Sequence, residues 1–243
     1  MTLIYIIIIN RTEGELFSVL FINLAKNESM KKIIVSLMMF TLILASCSGE
    51  QQSAETVVEN NKVENCYYEY SPADSKLDWT AFKFLRKAPV GGTFTTLSVT
   101  GGDKAGDKMG LIENLSFSIP VETVETKNSD RNKKIDSLFF GSFTIPEMIT
   151  GEVISLGDNG KAIIAISMNG ITNEVEGDYT FEDATFTYKT NIDVMNWNAE
   201  EGLTALNVAC EDLHTDIENG DTESKLWSDV DIMFSTTLKK KCE

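Results

Sequence analysis

From Thr150 to Val194 the sequence alternates apolar and polar residues in short runs separated by turn residues. Residues 151–156, 162–168, 173–181 and 184–194 carry the period of two expected of half-buried strands. Gly157-Asp158-Asn159-Gly160 and Asn169-Gly170 supply the residues that tight hairpins require. Strands joined so closely pair antiparallel, because a parallel connection needs a crossover of about a dozen residues or more.

The same pattern extends in both directions. Leu77, Trp79 and Ala81 alternate with Asp78 and Thr80, and Phe82 and Phe84 then shift the phase, which predicts a bulge. Pro89 and Gly91-Gly92 punctuate the chain before a β-rich run at 93–100. Leu115, Phe117 and Ile119 form another strand, and residues 230–238 the last. Two segments break the period. Ser129-Asp130 caps a helix expected over 130–138. Leu203, Leu206, Cys210, Leu213 and Ile217 make one apolar stripe of a helix over 200–218, with Cys210 packed in the core. The expectation is a mainly β fold: about eight antiparallel strands with two helices, as a closed barrel or a sandwich.

The start of the chain follows a different logic. Met30-Lys31-Lys32 precedes an apolar run at 33–44, which is shorter than the roughly 20 residues of a membrane span. Leu44-Ala45-Ser46-Cys47 follows. This order resembles a bacterial lipoprotein signal, cut before Cys47 and acylated there. It divides the chain into an upstream extension (1–29), a signal peptide (30–46), a polar tether (47–65) and a barrel domain (66–243). The expected location is the bacterial cell envelope, lipid-anchored, in the periplasm or at the outer membrane. Ser48, rather than aspartate, follows Cys47 and leans the expectation toward the outer membrane.

Charge excludes one class of partner. The net charge is -16, and residues 1–46 carry one net positive charge, so the remainder carries -17. Such a surface repels phosphate backbones, which argues against nucleic-acid binding. Attachment to a membrane then falls to the anchor. Three cysteines follow Cys47. A barrel brings its first and last strands together, so Cys66–Cys242 is the candidate disulfide in an oxidising compartment. Other pairings, or three free thiols, remain open at this stage.

Five blocks, in order, resemble the YceI-like, polyisoprenoid-binding family. They are Asp74-Ser75-Lys76-Leu77-Asp78-Trp79, Val90-Gly91-Gly92-Thr93-Phe94, the stretch from Arg131 to Phe140, the stretch from Ile166 to Val175, and Asp229-Val230-Asp231-Ile232. The resemblance implies a lipocalin-like barrel holding a long apolar molecule, such as an isoprenoid or a fatty amide, with no other cofactor. Histidines common in that family are replaced by Asp74-Ser75-Lys76 and Met168-Asn169-Gly170, and the 200–226 segment is longer. Period and matched blocks together give an inward, ligand-facing set: Leu77, Trp79, Phe94, Phe117, Ile119, Ile164, Ile166, Met168, Val175 and Tyr179. Trp79 and Tyr179 are the candidates for placing a polar group at a ligand head.

Enzyme readings find little support, and no catalytic residue is assigned. His214 is the single histidine, among Glu211, Asp212 and Asp216, and reads as a solvated helix residue. No G-x-S-x-G elbow, C-x-x-C pair or phosphate-binding glycine loop is present. The acidic run 216–223 lacks calcium-loop spacing and reads as a solvated loop, so no metal is expected. The alternative to a lipid carrier is an interaction module with a filled barrel, acting through its acidic exterior or the 200–226 segment.

Overall fold

The computed structural model describes residues 65–243. The signal-like segment, Cys47 and the rest of the chain before residue 65 lie outside the described residues. The strands are β1 (Cys66–Glu69), β2 (Ser75–Lys83), β3 (Ala88–Phe94), β4 (Ser98–Thr100), β5 (Ser116–Pro120), β6 (Val124–Glu125), β7 (Met148–Leu156), β8 (Lys161–Met168), β9 (Ile171–Glu182), β10 (Thr185–Asp193), β11 (Leu226–Thr237) and β12 (Lys239–Cys242). Ten form one antiparallel, strongly curled half-barrel sheet in the order β4-β5-β7-β8-β9-β10-β11-β2-β3-β6. β1 and β12 form a separate ribbon. The end strands β4 and β6 are not hydrogen-bonded to each other.

The hairpins follow from local chemistry. Asn169 (φ 52°) and Gly170 (φ 73°) both take the left-handed conformation that a two-residue β8–β9 turn needs. The Asn169 side chain then fixes the neighbouring segments: it accepts from Thr144 N at 2.8 Å and donates to Trp197 O at 2.9 Å. At the β7–β8 turn Gly157 N donates to Lys161 O at 2.7 Å.

The short elements depart from expectation. Twelve strands are present among the described residues, because β4 and β6 are only three and two residues long and too brief to show a period. Pro89, Gly91 and Gly92 lie inside β3 rather than ending a strand before it. The irregularity expected at Phe82 falls on the partner strand, where β11 shifts register between Leu226 and Val230. Lys239-Lys240-Lys241 lies in β12 and pairs with Glu69, Tyr68 and Tyr67. Cys66 and Cys242 stand opposite each other in that ribbon and are joined by a disulfide, with Cα atoms 4.0 Å apart.

Helices cap the sheet. α1 (Lys108–Glu113) was not evident from periodicity; Asp107 caps it by accepting from Gly110 N, and it buries Leu111 and Ile112 completely. α2 (Ser129–Lys134) is capped by Asn128 and runs into a π-helical turn, Ile135–Phe139, then a 3-10 turn, Phe140–Ser142. The π turn re-aims the helix end so that Phe139, Phe140 and Phe143 meet edge to face, with ring centroids 5.0–5.6 Å apart. The expected single helix over 200–218 is broken into α3 (Glu200–Ala209) and α4 (Glu211–His214). The apolar stripe stops with it: Cys210 is buried, but Leu213 and Ile217 are 59% and 78% exposed.

Two apolar clusters lie at opposite ends of the strands. The first contains Leu111, Ile112, Leu156, Ile164, Phe186 and Tyr188; the second contains Phe140, Phe143, Met168, Val194 and Trp197. Ile166, midway along β8, packs against both.

Candidate functional site

Directly opposed residues of an antiparallel pair share a face, and residues two apart along a strand share it too. The register therefore assigns the concave face strand by strand. Phe117 opposes Gly151, which opposes Ile166, and Ile119 opposes Ile149. Ile166 opposes Asn173, Ile164 opposes Val175, and Met168 opposes Ile171. Tyr179 opposes Tyr188, which opposes Phe234. Phe234 opposes Leu77, Ile232 opposes Trp79, and Trp79 opposes Gly92, two residues before Phe94. All ten residues of the sequence-derived inward set thus lie on one face of one sheet.

Their surroundings differ. Ile119, Ile164 and Met168 are buried. Phe117, Ile164, Ile166 and Tyr179 belong to or pack on the first cluster; Phe94, Ile166, Met168 and Val175 belong to or pack on the second. Leu77 and Trp79 belong to neither cluster and stay half-buried. The Trp79 ring lies across the neighbouring strand. A Cβ at Gly92 would stand 2.2 Å from it, so only glycine fits there.

The polar atoms expected to meet a ligand head are already engaged. Trp79 Nε1 donates to Thr93 O at 3.2 Å, and Tyr179 Oη donates to Gly157 O at 2.8 Å. Tyr188 Oη donates to Val175 O at 3.2 Å, and burial pushes its phenol up to about 12. These bonds to carbonyls hold the aromatics in place. The Trp79 and Tyr179 donors are thus occupied by backbone carbonyls.

One opening into the concave face has a clear structural cause. β2 and β3 pair from Lys83–Ala88 to Trp79–Gly92 and then separate. Beyond Gly92, β3 turns to pair with β6, Thr93 with Glu125 and Phe94 with Val124. In the split lies a cleft of about 420 Å³, lined by Leu77, Phe94, Leu97, Tyr70, Ser75 and Thr93 among others. A second, shallower hollow of about 670 Å³ lies over α3, lined by Met195, Asn198, Glu200, Glu201, Thr204 and Ala205. No member of the inward set lines it.

The other singled-out groups are structural. His214 is half-buried, not solvated, because α3 and α4 fold it onto Asn207, whose Oδ1 lies 3.0 Å from Nδ1. Burial first, then Lys83 and Lys134, push its pKa down to about 4. The 216–223 run is a mostly exposed loop, as its composition suggests, and two of its carboxylates brace it. Asp216 pairs with Arg86 at 2.8 Å, which holds its carboxyl below the usual range, and Asp221 Oδ2 accepts from Leu85 N at 3.2 Å and Asp216 N at 3.1 Å. Among the described residues no group of three or more His, Cys, Asp or Glu is arranged to hold a metal, and no helix is long and apolar enough to cross a membrane.

A curled antiparallel sheet with an apolar concave face defines a lipocalin-like half-barrel. The chain belongs to the YceI-like domain family, which matches residues 68–238. Among solved structures it is similar to a polyisoprenoid-binding domain from Saccharophagus degradans implicated in plant cell wall breakdown, at 11% identity, with 73% of this chain and 99% of that one covered and a TM-score of 0.49. It is also similar to BcnA of Burkholderia cenocepacia, at 14% identity, 71% and 99% coverage and a TM-score of 0.43. A third is the YCEI protein of Campylobacter jejuni, at 14% identity, 67% and 90% coverage and a TM-score of 0.39. No curated protein matches the sequence.

Proposed function

We propose that this protein is a lipid-anchored carrier that holds an isoprenoid or other long-chain amphiphile against its concave face, sequestering or transporting it in the cell envelope. The observation that supports this most is the continuous apolar face across the strands, with Leu77, Trp79 and Phe94 left half-buried where the sheet splits. Family membership supports the same reading. Binding proceeds through apolar burial, at about 0.8 kcal/mol per methylene, with no covalent chemistry.

That mechanism predicts a chain-length law. In titrations with linear alcohols of increasing length, Kd falls about three- to fourfold per added methylene until the groove is filled. A Kd independent of chain length contradicts the proposal.

The anchor is the second part of the reading. Acylation at Cys47 would supply the membrane affinity that an acidic surface does not, with the polar stretch after it as a tether. Cys47→Ala is expected to move the protein from the membrane fraction to the soluble fraction. Retention in the membrane fraction overturns the anchor and leaves the carrier reading standing.

An interaction module remains the second reading, favoured by the exposed apolar side chains Val208 (67%), Leu213 (59%) and Ile217 (78%) in the 200–226 segment. It requires no ligand, so the titration separates the two.

A further inference from the structure

The cleft between β2 and β3 has apolar and polar walls. Leu77, Phe94 and Leu97 supply the apolar wall and lead onto the concave face. The polar lining carries four hydroxyls. Ser75 Oγ lies 3.0 Å from Ser71 O and 2.8 Å from Thr236 Oγ1, so its one proton is already committed. Thr93 Oγ1 donates to Leu77 O. Thr95 Oγ1 donates to Thr123 O at 3.4 Å. Tyr70 differs. Its hydroxyl is buried and meets no partner in good hydrogen-bond geometry among the described residues, although the Ser75 hydroxyl is near enough to act on it. A buried hydroxyl without a well-aligned partner is unfavourable and calls for an explanation.

The position of Tyr70 is fixed on both sides. Its backbone N donates to Gly102 O at 2.9 Å, and its ring packs on the first apolar cluster while also lining the cleft. A Cβ at Gly102 would stand 2.5 Å from Tyr70 Cβ, so the close approach of these two segments depends on glycine. The ring is therefore held beside the place where the cleft meets the concave face. Burial raises its phenol above the ordinary value, against a smaller opposing effect of the Ser75 hydroxyl. At neutral pH it is a hydrogen-bond donor.

The charges at the rim are paired. Lys76 binds Asp78 at 2.6 Å, and Asp74 binds Lys239 at 3.1 Å. With -17 on the chain after residue 46, an anionic head gains nothing by approaching. An uncharged head bearing an acceptor oxygen is favoured over an anionic one.

We propose that Tyr70 is the head-group residue of this groove: its hydroxyl donates to the carbonyl, amide or hydroxyl oxygen of an uncharged long-chain amphiphile whose tail runs inward along Leu77 and Phe94. The inference rests on the carrier reading and adds to it the polar end of the ligand and its orientation. The tail fills the apolar face, and the head stays in the split.

Tyr70→Phe removes only the hydroxyl. The test titrates the full chain and the variant with three probes of equal tail length: octadecanamide, octadecyl phosphate and octadecane, read by tryptophan fluorescence. The variant is expected to bind the amide about five- to tenfold more weakly, the loss of one hydrogen bond. Its binding of octadecane is expected to be unchanged, and its melting temperature equal to or above that of the wild type, since the hydroxyl has no well-aligned partner to lose. Equal amide affinity in both proteins overturns the Tyr70 assignment and leaves the carrier reading intact. Equal weakening for amide and octadecane shows that Tyr70 acts through packing and overturns the assignment too. Tighter wild-type binding of the phosphate than of the amide overturns the uncharged head. Failure of the wild type to bind any of the three overturns the carrier reading itself, and the inference with it.

Discussion

At the scale of single residues, the concave face is built from pairs in which a large ring covers a glycine. Trp79 lies over Gly92, and Tyr188 lies over Gly177, where a Cβ would stand 2.4 Å from the ring. The pairing explains why Gly91-Gly92 reads as punctuation in the sequence yet sits inside β3: the glycine is there for the tryptophan on the next strand. Such a dependence joins residues far apart in the chain, and no local period shows it. Tyr70 escaped notice for a related reason. Its significance lies in a hydroxyl without a well-aligned partner, and only the packed structure shows which hydroxyls are satisfied. His214 yields a prediction at this scale. Its folded pKa is about 4, below the ordinary 6.5. The unfolded chain therefore takes up the proton first as pH falls. The stability that the neutral ring provides is complete above about pH 6.5 and is lost as pH falls toward 4. Urea unfolding at pH 7 and pH 4.5 should show a smaller loss for His214→Gln than for the wild type. An equal loss in both would mean that the ring does not titrate as described.

At the scale of elements, the long strands were legible and the short ones were not. β7 to β10 sit where alternation and turn residues place them, because each strand is half-buried and each turn needs residues tolerant of positive φ. β4, β6 and the β1–β12 ribbon are defined by partners rather than by their own pattern. α1 is a single buried turn and a half, too short for a helical period to emerge. The 200–218 stripe had the right spacing for one helix, but tertiary contacts override it. Gly202 lets α3 approach the Phe139 backbone, where a Cβ would stand 2.3 Å from the carbonyl oxygen. Cys210 then leaves helical geometry, at φ -124° and ψ 24°, with Lys134 Nζ 3.6 Å from its Sγ. The His214 carbonyl accepts from Lys225 N at 2.9 Å, which ends α4 and returns the chain to β11. The candidate site shows the same division. The inward face was readable from period two, whereas the cleft arises because β3 leaves β2 for β6, a fact of topology.

At the scale of the whole molecule, the acidic exterior, the apolar interior and the covalent closure act together. The disulfide links residues 176 apart and ties the first described strand to the last. Closing so long a loop contributes about 2–4 kcal/mol. The ribbon it locks leads directly into Tyr70 and β2, so the closure also steadies one wall of the cleft. The sheet meanwhile leaves β4 and β6 unpaired with each other, which makes an open half-barrel with an apolar cluster toward each end and a cleft where β2 and β3 part. If this face holds a lipid, native mass spectrometry of the protein purified without detergent, followed by organic extraction, will find a copurifying species of several hundred daltons with an isoprenoid or acyl chain. A bare protein mass that stays unchanged after incubation with quinones and fatty amides would contradict the carrier reading.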